Sequence, residues 1–223
     1  MTIRAVVFDV GETLVDETRA WTSWADWLGV PRLTFLAVCG AVIAGGELDH
    51  REPLRIFRPD FDVDEERRKR EQAGVAEGIT ADDLYPDAIP CLRALHDAGY
   101  RLGIAGNQPA RAEAVLAELG LPVEFVAASE TWGVEKPDPR FFERIAAELG
   151  LPADQIAYVG DRLDNDIRPA AAAGMQAIFI RRGPWGWIQQ PSGSPPQARL
   201  AIESLAELPL ALEGLDRPSQ PPR

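Results

Sequence analysis

Three short segments carry residues whose types and spacing suit chemistry on an anionic substrate. The first is Arg4-Ala5-Val6-Val7-Phe8-Asp9-Val10-Gly11-Glu12-Thr13, an apolar run that stops at Asp9 and bends at Gly11. The second is Val134-Glu135-Lys136-Pro137-Asp138-Pro139-Arg140-Phe141-Phe142. The third is Tyr158-Val159-Gly160-Asp161-Arg162-Leu163-Asp164-Asn165-Asp166. Convergence of the three would put the carboxylates of Asp9, Asp161 and Asp166 into one crevice. Like charges that close cannot all stay ionised without compensation. Mg²⁺ would supply it, being a hard cation that takes oxygen ligands and usually only one or two carboxylates. Lys136 would add a point charge that holds Asp9 ionised and attracts an anionic substrate.

The elements that must position these residues follow from the pattern along the chain. Residues 3–10 read as a buried strand delivering Asp9 to its C-terminal edge, where open α/β sheets bind ligands. Residues 17–83 read as a helical insertion. Trp21, Trp24 and Leu28 recur at helical spacing, Leu33, Leu36 and Ala37 do so after Pro31, and 65–77 is a charged helical stretch. Beyond Tyr85-Pro86, helices are expected at 87–98, 110–119, 140–149 and 166–173, each followed by a glycine stop. Strands are expected at 101–107, 125–128, 156–161 and 177–180, a loop at 183–197, and a final strand and helix within 199–212. The alternation predicts an α/β fold, a doubly wound parallel sheet covered on both faces. The expected domains are a core of 1–16 and 84–216, a small helical cap of 17–83, and a disordered tail of 217–223.

At the three segments the sequence resembles the haloacid dehalogenase (HAD) superfamily. The Asp-x-Asp-x-Thr motif of that family falls on Asp9, Gly11 and Thr13. Its lysine motif, often followed by Pro-x-Pro-x-x-Phe, falls on Lys136 to Phe142. Its acidic motif falls on Gly160, Asp161 and Asp166, and Asn165-Asp166-Ile167 with Ala172-Ala173-Gly174-Met175 is also typical. The resemblance implies a Rossmann-like core, a cap inserted after strand one, and a Mg²⁺-dependent phosphatase. In that chemistry Asp9 attacks phosphorus and forms an aspartyl-phosphate that water hydrolyses. Asp9, the main-chain carbonyl of Gly11 and Asp161 would hold the metal. Asp166 would support the metal waters or orient Lys136, and Gly106, Asn107 and Lys136 would face the substrate.

Two positions depart from the family pattern. Gly11 stands where hydrolytic phosphatases usually carry a second aspartate, the acid–base group, whose help is worth roughly two to four powers of ten in rate. Gly106 stands where a Ser or Thr usually precedes Asn107, which leaves only backbone N–H groups for the phosphoryl oxygens. Glu12 lies beside the first gap as a makeshift acid, but alternation on an extended segment points it away and makes it a solvated turn residue. The gaps favour a substrate with a good leaving group. They keep two alternatives open: a carbon–halogen hydrolase, whose leaving halide needs no proton, and a non-catalytic binding protein of the same fold. Asp16 and Asp164 are read as surface or junction acids, Arg162 as one half of a surface ion pair, and His50 and His96 as structural or exposed. Arg19 is a weaker candidate for the crevice.

Composition bounds the rest. Over 223 residues the net charge is −12, which argues against a nucleic-acid partner. Lys69 and Lys136 are the two lysines. Cys39 and Cys91 fit no metal or redox spacing and read as buried free thiols. No membrane span or signal-peptide pattern is evident. The expectation is a cytoplasmic protein acting on a small anionic molecule.

Overall fold

A computed structural model of the chain describes residues 2–46, 52–75, 78–190 and 192–216. His50 and the expected tail at 217–223 lie outside the described residues. Six strands, β1 (Ala5–Phe8), β2 (Arg101–Gly106), β3 (Phe125–Ala128), β4 (Ile156–Gly160), β5 (Gln176–Ile180) and β6 (Leu200–Ile202), form one sheet in the order β3-β2-β1-β4-β5-β6. Every pairing is parallel. A parallel sheet is covered on both faces, which explains why Ala5, Val6, Val7 and Phe8 are all buried and why β1 reads as a continuous apolar run. The strand order reverses next to β1: the chain steps out to β2 and β3 on one side, then returns to β4 on the other. Such a switch point leaves a crevice outside the carboxyl ends of the two strands.

Helix Pro139–Leu149 buries Phe141, Phe142, Ile145 and Leu149, one face at helical spacing, and Gly150 ends it at φ 60°. Helix Ala88–Asp97 buries Cys91, Leu92 and Leu95 in the same way. Three segments differ from expectation. Residues 183–189 are helical, because Pro184 sits in the first turn, where its fixed φ suits a helix start. Ser129–Trp132 adds a short helix after β3. The helix expected from 166 begins at Arg168, after a wider π-turn over Leu163–Ile167 in which the Arg162 carbonyl accepts from both Asp166 N and Ile167 N.

The chain divides into two compact units, residues 1–16 with 80–223, and residues 17–79. The second unit comprises helices Thr18–Leu28, Arg32–Ala44, Glu52–Phe57 and Val63–Gln72. Its core is Ala25, Phe35, Cys39, Leu54 and Phe61, with Trp21, Trp24 and Leu28 packed against it. The helical spacing of Leu33, Leu36 and Ala37 falls within the helix Arg32–Ala44, but its buried face is Phe35, Cys39 and Ile43, and Leu33 is 83% exposed. This helix is apolar on nearly every side, so periodicity could not choose among its faces. The first two helices turn by 112° at the Gly29–Pro31 break, and among the described residues no single helix is long and apolar enough to cross a membrane.

Candidate active site

Asp9 and Asp161 follow adjacent strands. Phe8 pairs with Val159, and Asp9 N donates to the Val159 carbonyl at 2.9 Å, so the ladder continues to the residue that bears the carboxylate. Asp166 arrives from the π-turn and folds back over the end of β4. A Cβ on Gly160 would lie 2.5 Å from the Asp166 Cβ, Cγ and Oδ2, so only glycine allows that approach. The three carboxylates come together: an oxygen of each of Asp9, Asp161 and Asp166 lies within 4.8 Å of the others, and all three residues are buried.

Lys136 completes the cluster. Its Nζ donates to Asp9 Oδ1 and to Asp166 Oδ1, both at 2.6 Å, and the residue is 3% exposed. Asn107 fixes its main chain: Asn107 Oδ1 accepts from Lys136 N at 2.8 Å, and Nδ2 donates to the Lys136 carbonyl at 2.9 Å. The Asn107 carboxamide therefore holds the lysine segment. At Gly106, a Cβ would meet Asp9 Oδ1 at 2.7 Å, so the Asp9 carboxylate occupies the space where a side chain would begin.

Electrostatics follow from burial and proximity. Burial works against the Lys136 ammonium, but the Asp166 and Asp9 carboxylates outweigh it and hold the proton well above the usual lysine range. Burial pushes the Asp166 carboxyl up to about 6, against the pull of Lys136 and with the help of Asp9. Burial also raises the Asp161 carboxyl well above its ordinary value, reinforced by Asp166, Asp9 and Glu12. Lys136 bonds two of the three carboxylates, and Asp161 is left to the weaker pull of Arg162. Among the described residues Asp161 Oδ2 is buried with no hydrogen-bond partner, and so is Thr13 Oγ1. A set of hard oxygen donors with an orphaned, buried carboxylate oxygen fits Mg²⁺.

The sequence missed the surroundings of this cluster. Glu12 is buried, not solvated: it lies at φ 52°, outside the extended conformation that alternation assumes, and it accepts from Tyr85 OH at 2.6 Å. Arg162 and Asp164 pair at 2.6 Å, each with 14% side-chain exposure, so the pair is largely enclosed and not on the surface. Gln189, from the unexpected helix, donates to Asp164 and accepts from Leu163 N, and no motif signalled it. Arg19 donates to the Gly78 carbonyl, and His96 is exposed.

A parallel α/β sheet thus carries a carboxylate at the end of β1, a second after β4, and a buried lysine bonded to Asp9 and Asp166 at its switch point. A family model described as a haloacid dehalogenase-like hydrolase matches residues 3–174, and the chain belongs to that family. Among curated relatives, it is 43% identical over 102 residues to a glyceraldehyde 3-phosphate phosphatase of Methanopyrus kandleri, covering 44% of each chain. It is 28% identical over 194 residues to a phosphoglycolate phosphatase of Aliivibrio fischeri, covering 81% of this chain and 85% of the relative. Its matches to the glyceraldehyde 3-phosphate phosphatases of M. kandleri and Methanocaldococcus jannaschii span about half the length of those proteins. A solved HAD phosphatase from Thermococcus onnurineus shares the fold, with a TM-score of 0.60 and 24% identity over 95% of this chain and 99% of that one.

Proposed function

We propose that this hydrolase is a Mg²⁺-dependent phosphatase of small phosphorylated molecules, with Asp9 as nucleophile. The observation that carries the reading is the buried cluster of Asp9, Asp161, Asp166 and Lys136, with Asp161 Oδ2 left unpartnered among the described residues. The names of the relatives support phosphate monoesters as the substrate class. Asp9, the Gly11 carbonyl and Asp161 would hold Mg²⁺, which when bound neutralises charge on the transferring phosphoryl group. Both Asp166 oxygens are engaged, Oδ1 by Lys136 and Oδ2 by Arg162 N at 2.9 Å, so this reading gives Asp166 chiefly the task of orienting the lysine. Lys136 pairs with Asp9 at 2.6 Å and draws the phosphoryl oxygens in. An Asp9 carboxylate oxygen bonds to phosphorus as the ester P–O bond breaks. Water then cleaves the aspartyl-phosphate, releasing phosphate and restoring the carboxylate.

Position 11 offers a backbone carbonyl and no proton donor. The reading therefore places the fastest turnover on leaving groups that need little protonation, such as aryl or acyl phosphates. Residues 17–79 are proposed as the cap that selects the substrate. The buried thiols Cys39 and Cys91, pushed up to about 11 and about 12 by burial, suit a cytoplasmic protein with no thiol chemistry.

A panel of alkyl and aryl phosphate monoesters and acyl phosphates, assayed for phosphate release with Mg²⁺ and with chelator, tests the proposal. The expected result is Mg²⁺-dependent release that rises steeply with leaving-group acidity. Release untouched by chelator, or none from any member, overturns it. Chelator-resistant halide release from a haloacid would replace it with the carbon–halogen reading, which Gly11 also permits.

A further inference from the structure

Among the described residues Glu12 is the one non-glycine with a positive φ, 52°. L side chains rarely adopt that conformation, and it persists only where surrounding contacts impose it. Those contacts are specific. Tyr85 OH donates to Glu12 Oε2 at 2.6 Å, and Glu12 N donates to the Val15 carbonyl at 2.7 Å. Gly183, the first residue of the helix that follows β5, closes directly on the side chain: a Cβ there would lie 2.5 Å from Glu12 Cβ and Cγ and 2.7 Å from Oε2. Arg182 stacks its guanidinium 4.0 Å above the Tyr85 ring, and donates to the Thr13 carbonyl at 3.0 Å and to Asp87 Oδ2 at 2.5 Å. Asp87 Oδ2 also accepts from Ser204 Oγ and Leu205 N, at 2.7 and 3.0 Å. Segments following β1, β5 and β6 are thus tied together around residues 12 and 13.

The tie matters because of what precedes it. The orientation of the Gly11 carbonyl is set by ψ of residue 11 and φ of residue 12. Glycine barely restricts its own ψ, so the constraint comes from residue 12, through its N–H on the Val15 carbonyl and its held side chain. We propose that Glu12 is a positioning residue. Its carboxylate, held by Tyr85 and seated on Gly183, fixes the Gly11–Glu12 peptide and with it the main-chain oxygen assigned above to the metal. The inference rests on that metal assignment.

The test measures Mg²⁺ binding by calorimetry without substrate, beside steady-state kinetics, for the parent, Glu12→Gly, Glu12→Gln and Tyr85→Phe. Glu12→Gly accepts the backbone conformation and removes the carboxylate. Tyr85→Phe removes the hydrogen bond alone and serves if the first variant fails to fold. Partners that orient a metal ligand typically change affinity by tenfold or more, so both variants are expected to bind Mg²⁺ about tenfold more weakly, with a matching rise in the Mg²⁺ needed for half-maximal turnover. Glu12→Gln keeps an oxygen for Tyr85 and recovers most of the affinity. Parent-like Mg²⁺ binding by Glu12→Gly or Tyr85→Phe overturns the inference, as does Glu12→Gln binding as weakly as Glu12→Gly. A parent that binds no Mg²⁺ overturns the metal assignment itself, and the inference with it.

Discussion

Replacing Lys136 by methionine removes the cation that bonds both Asp9 and Asp166 while nearly preserving volume. Each of its two contacts is 2.6 Å long and buried. At an effective dielectric of about 20, a contact of that length carries roughly 6 kcal/mol of gross attraction, and desolvation of the ions offsets several kcal/mol of the total. The variant loses both attractions but leaves the carboxylates buried and uncompensated, a situation that costs about 3–5 kcal/mol. At 2–4 °C per kcal/mol for a chain of this size, the melting midpoint falls by about 6–20 °C. The loss depends on pH with a definite sign. Asp166 is raised from 3.8 to about 6 even with Lys136 present, so the folded state binds its proton more tightly than the unfolded chain does. Stability from that group is therefore present at low pH and lost as pH rises through about 6, and removing the lysine moves the midpoint still higher. Thermal unfolding of parent and Lys136→Met in chelator, at about pH 5 and about pH 7.5, should show the larger gap at the higher pH. Midpoints that agree within about 2 °C at both pH values would refute the reasoning, because a cation in those contacts cannot be removed without consequence.

Gly160→Ala drives a methyl into Asp166, 2.5 Å from three of its atoms. The expected outcome is a loss of about 1–3 kcal/mol in chemical denaturation, together with reduced turnover as Asp166 releases Lys136. Parent-like values of both would show that the approach is not tight. In the helical unit, Glu66 is held down at about 2 by Lys69, Trp27 and Arg58 against the opposing effect of burial. Its folded value lies below the ordinary 4.5, so its contribution is full above about 4.5 and disappears as pH falls toward about 2. Glu66→Gln should flatten that part of the acid-unfolding curve, and curves of parallel slope for parent and variant would contradict the assignment.

Much of this was legible in the sequence because burial writes itself into composition. A parallel strand buried on both faces gives the apolar run Ala5 to Phe8, and its abrupt end at Asp9 marks the edge of the sheet. The alternation of strands with helices is legible for the same reason, and the convergence of Asp9, Lys136, Asp161 and Asp166 follows from the parallel sheet that alternation implies. Contacts that depend on a single backbone angle were not. Nothing in the letters reports φ at Glu12, so a rule for extended chains misplaced its side chain. The spacing of Leu33 and Leu36 marks a helix but not its buried face, because an all-apolar helix has no preferred face until its neighbours are known. The partner of Asn107 is a main-chain group, and main-chain groups are the same at every position, so its clamp on Lys136 left no trace in the sequence.

The central claim is that Asp9 carries the chemistry. The most direct measurement compares Mg²⁺-dependent phosphate release from an activated aryl phosphate by the parent and by Asp9→Asn, with acid-quench trapping of phosphorylated protein. The account predicts turnover and trapped phosphate in the parent and neither in Asp9→Asn. Release by Asp9→Asn at the parent's rate would contradict it.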